Sequence, residues 1–520
     1  MMHAIKSITI VGGGTAGWLT AALIAAEHLS HLPDTINVTL IESPQVSAIG
    51  VGEGTWPSMR STLEKIGISE IEFVSCCDAS FKQGSQFIDW KAGQGERYYH
   101  PFMTPQGYGQ ANLYQAWKTY APASSFAETS CIQTAICDAS RAPKQTATPQ
   151  YAAVTNYGYH LDATKFAALL TRHCTAKLGV RHIIDHMTDI ISAENGDIAE
   201  ICTKQSGNIG GDLFIDCTGL KSLLLGKHFN VPFIKQDHIL FNNTAMALQV
   251  PYLDDETAIS STTLSTAKTN GWIWDIGLPT RRGVGYTYSS QHSDDQQVQD
   301  ELCQYVAKSI GQSQAEQLSP RKISFTPGHR KEFWHKNCVA VGMASGFIEP
   351  LEASALALIE LSAELISEEL PKTRQQMKIT AKRYNDRFLY RWSRVIDFLK
   401  LHYLLSQRTD SDYWHDNRSD KSIPERLNEQ LTLWRHQSPS RHDLIQNEEI
   451  FPSASYQYIL YGMGFNTQTF QLKQSDNLDM AKQFFDEIQQ KKSHYIQALP
   501  SNRTLINFMK AAYAQAANNQ

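Results

Sequence analysis

The stretch that decides the fold is residues 7–18, which read SITIVGGGTAGW. Its first five residues form a short, largely β-branched run, and such runs are typical of a buried parallel strand. Gly12, Gly14 and Gly17 follow with the spacing G-x-G-x-x-G, and a helical apolar stretch begins at Trp18. In this spacing the first glycine permits a tight turn, the second lets the backbone approach a pyrophosphate, and the third lets the helix pack on the strand. The stretch therefore predicts a dinucleotide-binding turn.

The residues that follow complete one βαβ unit. A second strand at residues 36–41 ends at Glu42, close to the spacing of about 20 residues at which an acid accepts hydrogen bonds from a ribose. Thr15 and Ala16 lie in the turn, where the helix N-terminus faces the phosphates. The predicted cofactor-binding residues are thus Gly12, Gly14, Thr15, Ala16, Gly17 and Glu42. A glycine-rich loop without a ligand is the alternative.

The composition argues against several classes of function. A formal net charge of −5 disfavours a nucleic-acid partner, which normally requires a basic face. No uncharged apolar run reaches about 18 residues, so we expect no membrane partner. The nine cysteines form no C-x-x-C motif, and the chain contains no H-E-x-x-H motif. No metal site is therefore expected. We expect a reduced, cytoplasmic protein. The apolar residues 8–26 resemble a signal peptide, but their glycines fit a cofactor turn better.

Further along the chain, the pattern changes from strands to helices. Strand-like runs at residues 210–216 and 338–341 each end in a glycine-containing turn, and a helical stretch then reaches about Leu370. Beyond it, helical patterns dominate, at residues 372–407, 480–498 and 503–517. The sequence predicts an α/β, Rossmann-type body at residues 1–370, which includes substrate-facing insertions. A mostly helical substrate-side module follows at residues 371–520.

Two of these turns favour FAD over NAD. The DCTG stretch at residues 216–219 and the turn Gly342-Met343-Ala344 resemble the second and third cofactor contacts of FAD-binding folds of the glutathione-reductase and monooxygenase type. Met343 departs from the aspartate that many such proteins carry. No second G-x-G-x-x-G is present for a separate NAD(P)H domain. Such a flavoprotein must either receive reduced flavin from elsewhere or bind pyridine nucleotide only transiently. We expect the flavin to arrive as FADH2, by diffusion from a separate flavin reductase.

Three further stretches are FKQG at residues 81–84, GWIWDIG at residues 271–277 and EPLEAS at residues 349–354. Together they resemble the flavin-dependent halogenase family, whose best-known members are the tryptophan halogenases. Residues 50–55 resemble the strap over the flavin in that family. The helical part of the family is similar to this chain at Asp397-Phe398, Leu401-His402-Tyr403, Arg408 and Trp414. The resemblance therefore runs along most of the chain, in the family's order and spacing.

The resemblance implies roles for particular residues. Lys82 matches the essential lysine, and Glu352 matches the catalytic glutamate, with Glu349 as a rival. Backbone groups of Ser354 and Ala355 match the chloride or bromide site, and Met343 and Leu356 match positions whose backbone touches flavin. Trp272 and Trp274 match the pair that screens the flavin from the substrate, and His100 and Phe102 match contacts to an indole ring. Departures from the family pattern are Gly277 in place of proline, and Ala353 and Ala355 after the glutamate.

The residue types at these positions suit the halogenation of an aromatic ring by hypohalous acid. Hypohalous acid is small and indiscriminate, and an ammonium such as Lys82 can hold it by hydrogen bonding or as a haloamine. Substitution on an aromatic ring builds positive charge, which a carboxylate such as Glu352 can stabilise or relieve of a proton. Each of these residues also has a purely structural interpretation. Lys82 in a loop would be a solvated surface charge, and Glu352 would be a helix acid favoured by the macrodipole. The two tryptophans and His100 would be packing residues.

The sequence therefore predicts an FADH2-dependent halogenase acting on an electron-rich aromatic such as an indole. The segment at residues 455–464 does not match the tryptophan-clamping segment of well-known members, so free tryptophan is not favoured. A homodimer is compatible with the sequence. The alternatives are a two-component aromatic hydroxylase on the same scaffold and a non-enzymatic flavin-binding redox protein. The hydroxylase would not need Lys82, and the redox protein would need neither Lys82 nor Glu352.

Overall fold

The computed structural model describes residues 4–45, 52–446, 448–468 and 473–518. The chain divides into two compact units, each assembled from three segments. The first unit comprises Met1–Ala79, Leu161–Gln236 and Phe325–Trp392, and the second comprises Ser80–His160, Asp237–Ser324 and Ser393–Gln520. Segments of the two units alternate along the chain. The sequence, by contrast, predicts two consecutive domains with a boundary at residue 370.

A six-stranded sheet forms the centre of the first unit. Its strands are, in spatial order, Trp334–His335, Cys338–Ala340, Leu213–Asp216, Ser7–Val11, Asn37–Glu42 and Arg181–Ile184. All neighbours are parallel except the first pair. The predicted strand at residues 7–11 lies in the middle, where Ile8 pairs with Val38 on one side and Leu213 on the other. Because the strand is covered on both faces, it buries Thr9 as well as Ile8, Ile10 and Val11.

Helices and small sheets surround this centre. The α-helices are Thr15–Glu27, Met59–Ile66, Glu70–Cys76, Ala163–Lys177 and Ser354–Glu368. Two three-stranded sheets contain Met187–Ser192, Ile198–Thr203 and Asn208–Gly210, and Phe233–Lys235, Gly328–Arg330 and Gly346–Phe347. A two-residue strand lies at Glu53–Gly54. The helix after the glycine-rich turn is apolar on all sides because other helices pack against it, so it carries almost no amphipathic signal.

The second unit is built on a seven-stranded sheet. Its strands are, in spatial order, Arg321–Ser324, Thr244–Pro251, Arg281–Tyr288, Gly271–Gly277, Thr263–Lys268, Gly84–Ile88 and Arg97–Pro101. One face buries Ile273, Val284 and Tyr286 against Val298 and Leu302 of the helix Asp295–Ile310. A separate antiparallel pair joins Ser80–Lys82 to Gly158–Leu161.

The helices Asp412–Asp416, Glu425–Trp434, Ser453–Gly462, Leu478–Ala498 and Asn502–Asn518 confirm the predicted helical C-terminal part. Shorter helices earlier in the second unit are Leu113–Tyr120, Phe126–Ser130, Gln133–Asp138 and Gln312–Ala315. The helix Arg374–Leu404 contributes residues to both units. No strand occurs after residue 370 in the described ranges. No helix among the described residues combines the length and apolarity that crossing a membrane requires.

Candidate active site

The carboxyl ends of neighbouring parallel strands form the edge predicted to bind a dinucleotide. The Gly12 amide donates to the Ile41 carbonyl at 2.9 Å, and the Cys217 amide donates to the Val11 carbonyl at 2.9 Å. The turns after three strands therefore start side by side. Ligands of open parallel sheets bind outside the carboxyl ends of the strands.

The three glycines meet different surroundings. Gly12 has φ +119°, and a Cβ there would lie 2.2 Å from the Cys217 carbonyl oxygen. A Cβ on Gly17 would lie 1.9 Å from the Gly12 carbonyl oxygen. At Gly14, by contrast, no described residue other than Gly14 and its two chain neighbours has a heavy atom within 4 Å of such a Cβ. Gly14 therefore faces open space at the start of the helix Thr15–Glu27, where a pyrophosphate fits.

Glu42 lies at the end of its strand, beside this turn. A Cβ on Gly13 would lie 2.2 Å from the Glu42 Cδ atom, so the carboxyl group rests against the glycine backbone. Its Oε2 atom is 3.0 Å from Nε2 of His182, and the His182 ring meets the Trp18 ring edge-on at 4.8 Å. The sequence did not indicate His182, because the short strand Arg181–Ile184 shows no clear pattern.

The DCTG loop is held by its own aspartate. Asp216 is fully buried, and its carboxylate accepts hydrogen bonds from the Thr218 amide (3.0 Å), the Thr218 hydroxyl (2.6 Å) and the Ser222 hydroxyl (3.2 Å). It also accepts from the Leu224 and Leu225 amides, at 3.0 and 2.9 Å. Five donors on one carboxylate make this loop rigid, which suits a backbone surface for a cofactor.

The turn Gly342-Met343-Ala344 closes the same edge. A Cβ on Gly342 would lie 2.8 Å from the Ala16 Cβ, so this turn packs on the start of the first helix. An open cavity beside it is lined by residues from 342 to 359 and by Trp392, and Met343, Ser354 and Ala355 are among them. The structure thus brings Met343, predicted to contact flavin, to the same cavity as Ser354 and Ala355, which were predicted as the halide site. Leu356, by contrast, is buried and does not line this cavity.

Glu352 precedes the helix Ser354–Glu368 in an unusual conformation. Glu352 has φ 64° and ψ 7°, and Ala353 has φ 55° and ψ 40°, so two consecutive non-glycine residues are left-handed. The carbonyl of Glu352 accepts a hydrogen bond from the indole nitrogen of Trp56 at 2.9 Å. Glu352 is 7% exposed and Glu349 is 1% exposed. Glu352 therefore lies just before the helix, and its left-handed backbone is not that of an acid in a first helical turn.

The predicted strap lies only partly within the described residues. Gly50 and Val51 are outside them, whereas Gly52 to Thr55 are described and include the strand Glu53–Gly54. Thr55 is fully buried, and Trp56 follows directly. The described end of the strap is therefore joined along the chain to the residue that bonds Glu352.

Lys82 is buried, which corrects the reading of a solvated loop lysine. It is the last residue of the strand Ser80–Lys82, its exposed fraction is 0%, and Gly158 lies opposite it on the neighbouring strand. Its Nζ atom lies 5.3 Å from the centre of the Phe102 ring. The Phe102 amide donates to the Gln83 carbonyl at 3.1 Å, which ties the two segments together. A buried lysine needs compensation, and the face of an aromatic ring supplies some of it.

His160 is a neighbour of Lys82 that the sequence did not indicate. It lies on the strand paired with that of Lys82, and its Nε2 atom is 2.8 Å from the Thr263 hydroxyl. Burial, with the charge of Lys82 as a second cause, lowers the pKa of His160 well below its usual value. His160 is therefore neutral near pH 7, so it does not place a second positive charge beside the ammonium of Lys82.

Trp272 and Trp274 alternate on the strand Gly271–Gly277 as predicted, and their ring centres are 6.2 Å apart. Trp90 packs on Trp272 with a ring-centre distance of 6.1 Å. A Cβ on Gly285 would lie 2.1 Å from the Trp274 ring, so the neighbouring strand must carry glycine there. The two indoles are therefore held in fixed positions, as both packing and screening require.

His100 lies among aromatic rings of the second unit. Its ring centre is 5.6 Å from that of Phe398 and 6.2 Å from that of Tyr458. The Tyr458 hydroxyl donates to the Met103 carbonyl at 3.0 Å, close to Phe102 in the chain. The helix Ser453–Gly462, whose sequence did not match the tryptophan-clamping segment, thus supplies an aromatic wall beside His100.

No cluster of histidine, cysteine and acidic side chains able to hold a metal occurs among the described residues. A parallel sheet with a glycine-rich turn, an acid on the next strand and a rigid second loop defines a dinucleotide-binding α/β protein, and the open space at Gly14 fits the pyrophosphate of FAD. The chain belongs to the tryptophan halogenase family, whose sequence profile it matches over residues 7–476. It is therefore an enzyme of the flavin-dependent, oxidoreductase type, and both the fold class and the family predicted from sequence are confirmed.

Several members of the family are similar over nearly the whole chain. The solved structure of a tryptophan halogenase from Shewanella frigidimarina has a TM-score of 0.94 and 51% identity, with 98% of each chain covered. Tryptophan 6-halogenase SttH of Streptomyces toxytricini is 31% identical over 478 residues, which are 88% of this chain and 89% of that protein. Tryptophan 7-halogenase RebH of Lentzea aerocolonigenes is 31% identical over 455 residues, 84% and 83% of the two chains.

Proposed function

We propose that this enzyme uses FADH2 and O2 to oxidise chloride or bromide and transfers the halogen, by way of Lys82, to an electron-rich aromatic ring. The observation that carries the proposal is the placement of Lys82, fully buried with its ammonium over the Phe102 ring, in a chain of this family. A lysine without a task is rarely buried to this extent, because desolvating an ammonium costs free energy.

The residues of the Gly12–Gly17 turn would hold FADH2, which would reduce O2 so that a halide ion is oxidised to hypohalous acid, with FAD and one water molecule as the other products. Lys82 then holds the hypohalous acid through an N–H hydrogen bond. In the covalent form of the step, the neutral amine takes the halogen and one water molecule leaves. The ring attacks the halogen, and a carbon–halogen bond forms as the oxygen–halogen or nitrogen–halogen bond breaks. The ring loses a proton, and water or the Lys82 amine is left behind. Flavin contacts proposed for the chain are Gly12, Gly14, Thr15, Ala16, Gly17, Glu42, Met343 and Leu356.

Glu352 takes up that ring proton or stabilises the cationic ring before the proton leaves. We propose that the backbone amides of Ser354 and Ala355 bind the halide, since both residues begin a helix of 15 residues and line the open cavity. We propose that Trp272 and Trp274 separate the substrate from the flavin, which is the role that the family resemblance implies. An aromatic hydroxylase would instead need its ring beside the flavin.

For the substrate, we propose an indole or tryptophan held by His100 and Phe102. The relatives that are named for their substrate act on tryptophan, at C6 for SttH and at C7 for RebH. The rings of Phe398 and Tyr458 flank His100, so an aromatic ligand there would meet aromatic surroundings. Free tryptophan remains second to other indoles, because residues 455–464 differ from the clamp of well-known members.

We further propose that a separate flavin reductase supplies FADH2 by diffusion and that the enzyme acts in the cytoplasm, alone or as a homodimer, without a nucleic-acid or membrane partner. The nine cysteines are all free thiols, which suits a reducing compartment.

The test combines the purified protein with FAD, a flavin reductase, NADH, bromide and a panel of indoles, and mass spectrometry detects the bromine isotope doublet. Lys82→Met should abolish brominated product while NADH oxidation and peroxide release continue. Lys144→Met is the matched control: Lys144 is also buried, and its ammonium faces Phe81, the residue before Lys82. This variant should still brominate.

Two results would contradict the proposal. One is a wild-type protein that binds and reoxidises flavin but brominates no substrate of the panel. The other is a Lys82→Met variant that brominates at the wild-type rate. A hydroxylated product from the wild type would instead support the alternative enzyme, and flavin turnover without any product would support the redox protein.

A further inference from the structure

Glu352 and Ala353 hold backbone conformations that cost free energy. Both have positive φ values, 64° and 55°, and neither is glycine. Such residues persist only where surrounding contacts hold them, and they cluster where a side chain must be presented in one particular direction. The peptide group between them determines both ψ of Glu352 and φ of Ala353. Whatever holds this peptide group therefore decides where the Glu352 carboxylate points.

The contact that holds it comes from Trp56. The indole Nε1 atom donates to the Glu352 carbonyl oxygen, which belongs to this same peptide group, at 2.9 Å. The Ala353 amide, at its other end, donates to the Pro350 carbonyl at 3.0 Å. Rotation of the peptide group away from the left-handed pair would break the hydrogen bond from Trp56. The bond thus opposes the motion that would relieve the strain.

Trp56 can exert this restraint because its own position is firm. It lies three residues before the helix Met59–Ile66, which packs on the helix Ser354–Glu368. The Thr62 hydroxyl donates to Glu360 at 2.7 Å, and the Ser58 hydroxyl donates to the same carboxyl group at 3.3 Å. The indole donor and the helix that begins after Glu352 are therefore parts of one hydrogen-bonded assembly.

We propose that Trp56 is a positioning residue for Glu352, which holds the left-handed Glu352–Ala353 backbone and thereby the direction of the carboxylate. The inference rests on the proposed function of Glu352. Trp56 touches neither ring nor halogen in this scheme, and it acts on the rate only through the glutamate.

The test uses Trp56→Phe, which keeps an aromatic ring and removes the N–H donor. Halogenation kcat should fall about fivefold, the effect of one neutral hydrogen bond on a conformational population, while KM and the Kd for FAD stay unchanged. Ala353→Gly provides the rescue, because glycine adopts positive φ without strain. In the Ala353→Gly background, Trp56→Phe should therefore lower kcat by less than about twofold.

Trp334→Phe is the matched control. The Trp334 indole also donates to the carbonyl of a left-handed residue, Lys336 (φ 53°), at 3.2 Å, away from Glu352. This variant should lower the thermal midpoint without lowering kcat. If Trp56→Phe lowers kcat only by disturbing the structure, Trp334→Phe should lower kcat by a similar factor. The Ala353→Gly background should then not reduce the loss of kcat caused by Trp56→Phe.

Equal losses of kcat in the wild-type and Ala353→Gly backgrounds, or no loss in Trp56→Phe, would overturn the inference. Glu352→Gln, measured in parallel, separates this failure from that of the proposed function. If Glu352→Gln abolishes halogenation and Trp56→Phe does not lower it, only the positioning role fails. If Glu352→Gln halogenates normally, the role of Glu352 fails and the positioning role fails with it.

Discussion

The ammonium of Lys82 lies 5.3 Å from the centre of the Phe102 ring, and the lysine is completely buried. A cation over a ring face is stabilised by the ring quadrupole, and the gain rises to about 2 kcal/mol when water is excluded. Phe102 therefore has two tasks in the proposed site, since it stabilises the lysine and is also placed to contact an aromatic substrate.

Phe102→Leu should lower the free energy of unfolding by about 1–3 kcal/mol, because the ring packing and the cation–π contact are both lost. Phe102→Tyr should retain most of the stability. Chemical denaturation measures both variants in the wild-type and Lys82→Met backgrounds. If the Phe102→Leu cost is the same in both backgrounds, the two side chains are not coupled and the contact has no energetic weight.

Gly14→Ala should fold normally and bind FAD at least about tenfold more weakly. The added methyl group meets no described protein atom but enters the space proposed for the pyrophosphate. Gly17→Ala should instead prevent stable folding, because its methyl group would lie 1.9 Å from the Gly12 carbonyl oxygen. Flavin fluorescence titration and thermal melts distinguish the two. Wild-type FAD affinity in Gly14→Ala would place the cofactor elsewhere.

Glu360→Gln should change the pH dependence of stability. Burial raises the pKa of Glu360 from 4.5 to about 8, and hydrogen bonds from Thr62 and Ser58 oppose the rise. Between these two pH values the native state holds a proton that the unfolded state has released. The free energy of unfolding therefore falls as pH rises through this window, by an amount on the order of a few kcal/mol.

Glutamine does not titrate, so Glu360→Gln should gain stability relative to the wild type between about pH 5 and pH 9. Denaturation midpoints of both proteins across this range provide the measurement. Thr62→Val, which removes a hydrogen bond but keeps the carboxyl group, serves as the control. It should keep the fall in stability with pH and extend it to higher pH, because loss of this hydrogen bond raises the pKa of Glu360 further. Parallel curves for the wild type and Glu360→Gln would show that this carboxyl group does not cause the slope.

Gly285→Ala should displace the Trp274 indole, because its methyl group would lie 2.1 Å from that ring. Overpacking of this kind costs about 1–3 kcal/mol of stability, and near-ultraviolet circular dichroism should report the moved indole. Gly210→Ala, also in a strand but with its nearest contact at 3.6 Å, is the control and should melt near the wild-type temperature. An unchanged spectrum for Gly285→Ala would mean that Trp274 is not held by that close approach.

Local patterns predicted the nucleotide-binding edge well. The strand Ser7–Val11 and the four longest helices after residue 353 lie within a few residues of the predicted positions, because their apolar patterns are long enough to be read. The shorter helices Asp412–Asp416, Glu425–Trp434 and Ser453–Gly462 were not predicted. Residues 52–156 were less readable, since their strands span only two to five residues and such runs show little periodicity. Lys82 lies in this part, which is why it resembled a solvated loop residue.

The sequence by itself determined the nucleotide-binding turn, through the glycine spacing and the acid after the second strand. It also determined the family, through the order of the motifs. These features depend on conformations that a few adjacent residues impose. Only the tertiary structure decided that Lys82 is buried against Phe102, that His160 is its neutral neighbour and that Trp56 holds the Glu352 backbone. Trp56 and Glu352 are 296 residues apart in the chain. Burial and strain of this kind arise from partners that meet only after folding, so no local pattern records them.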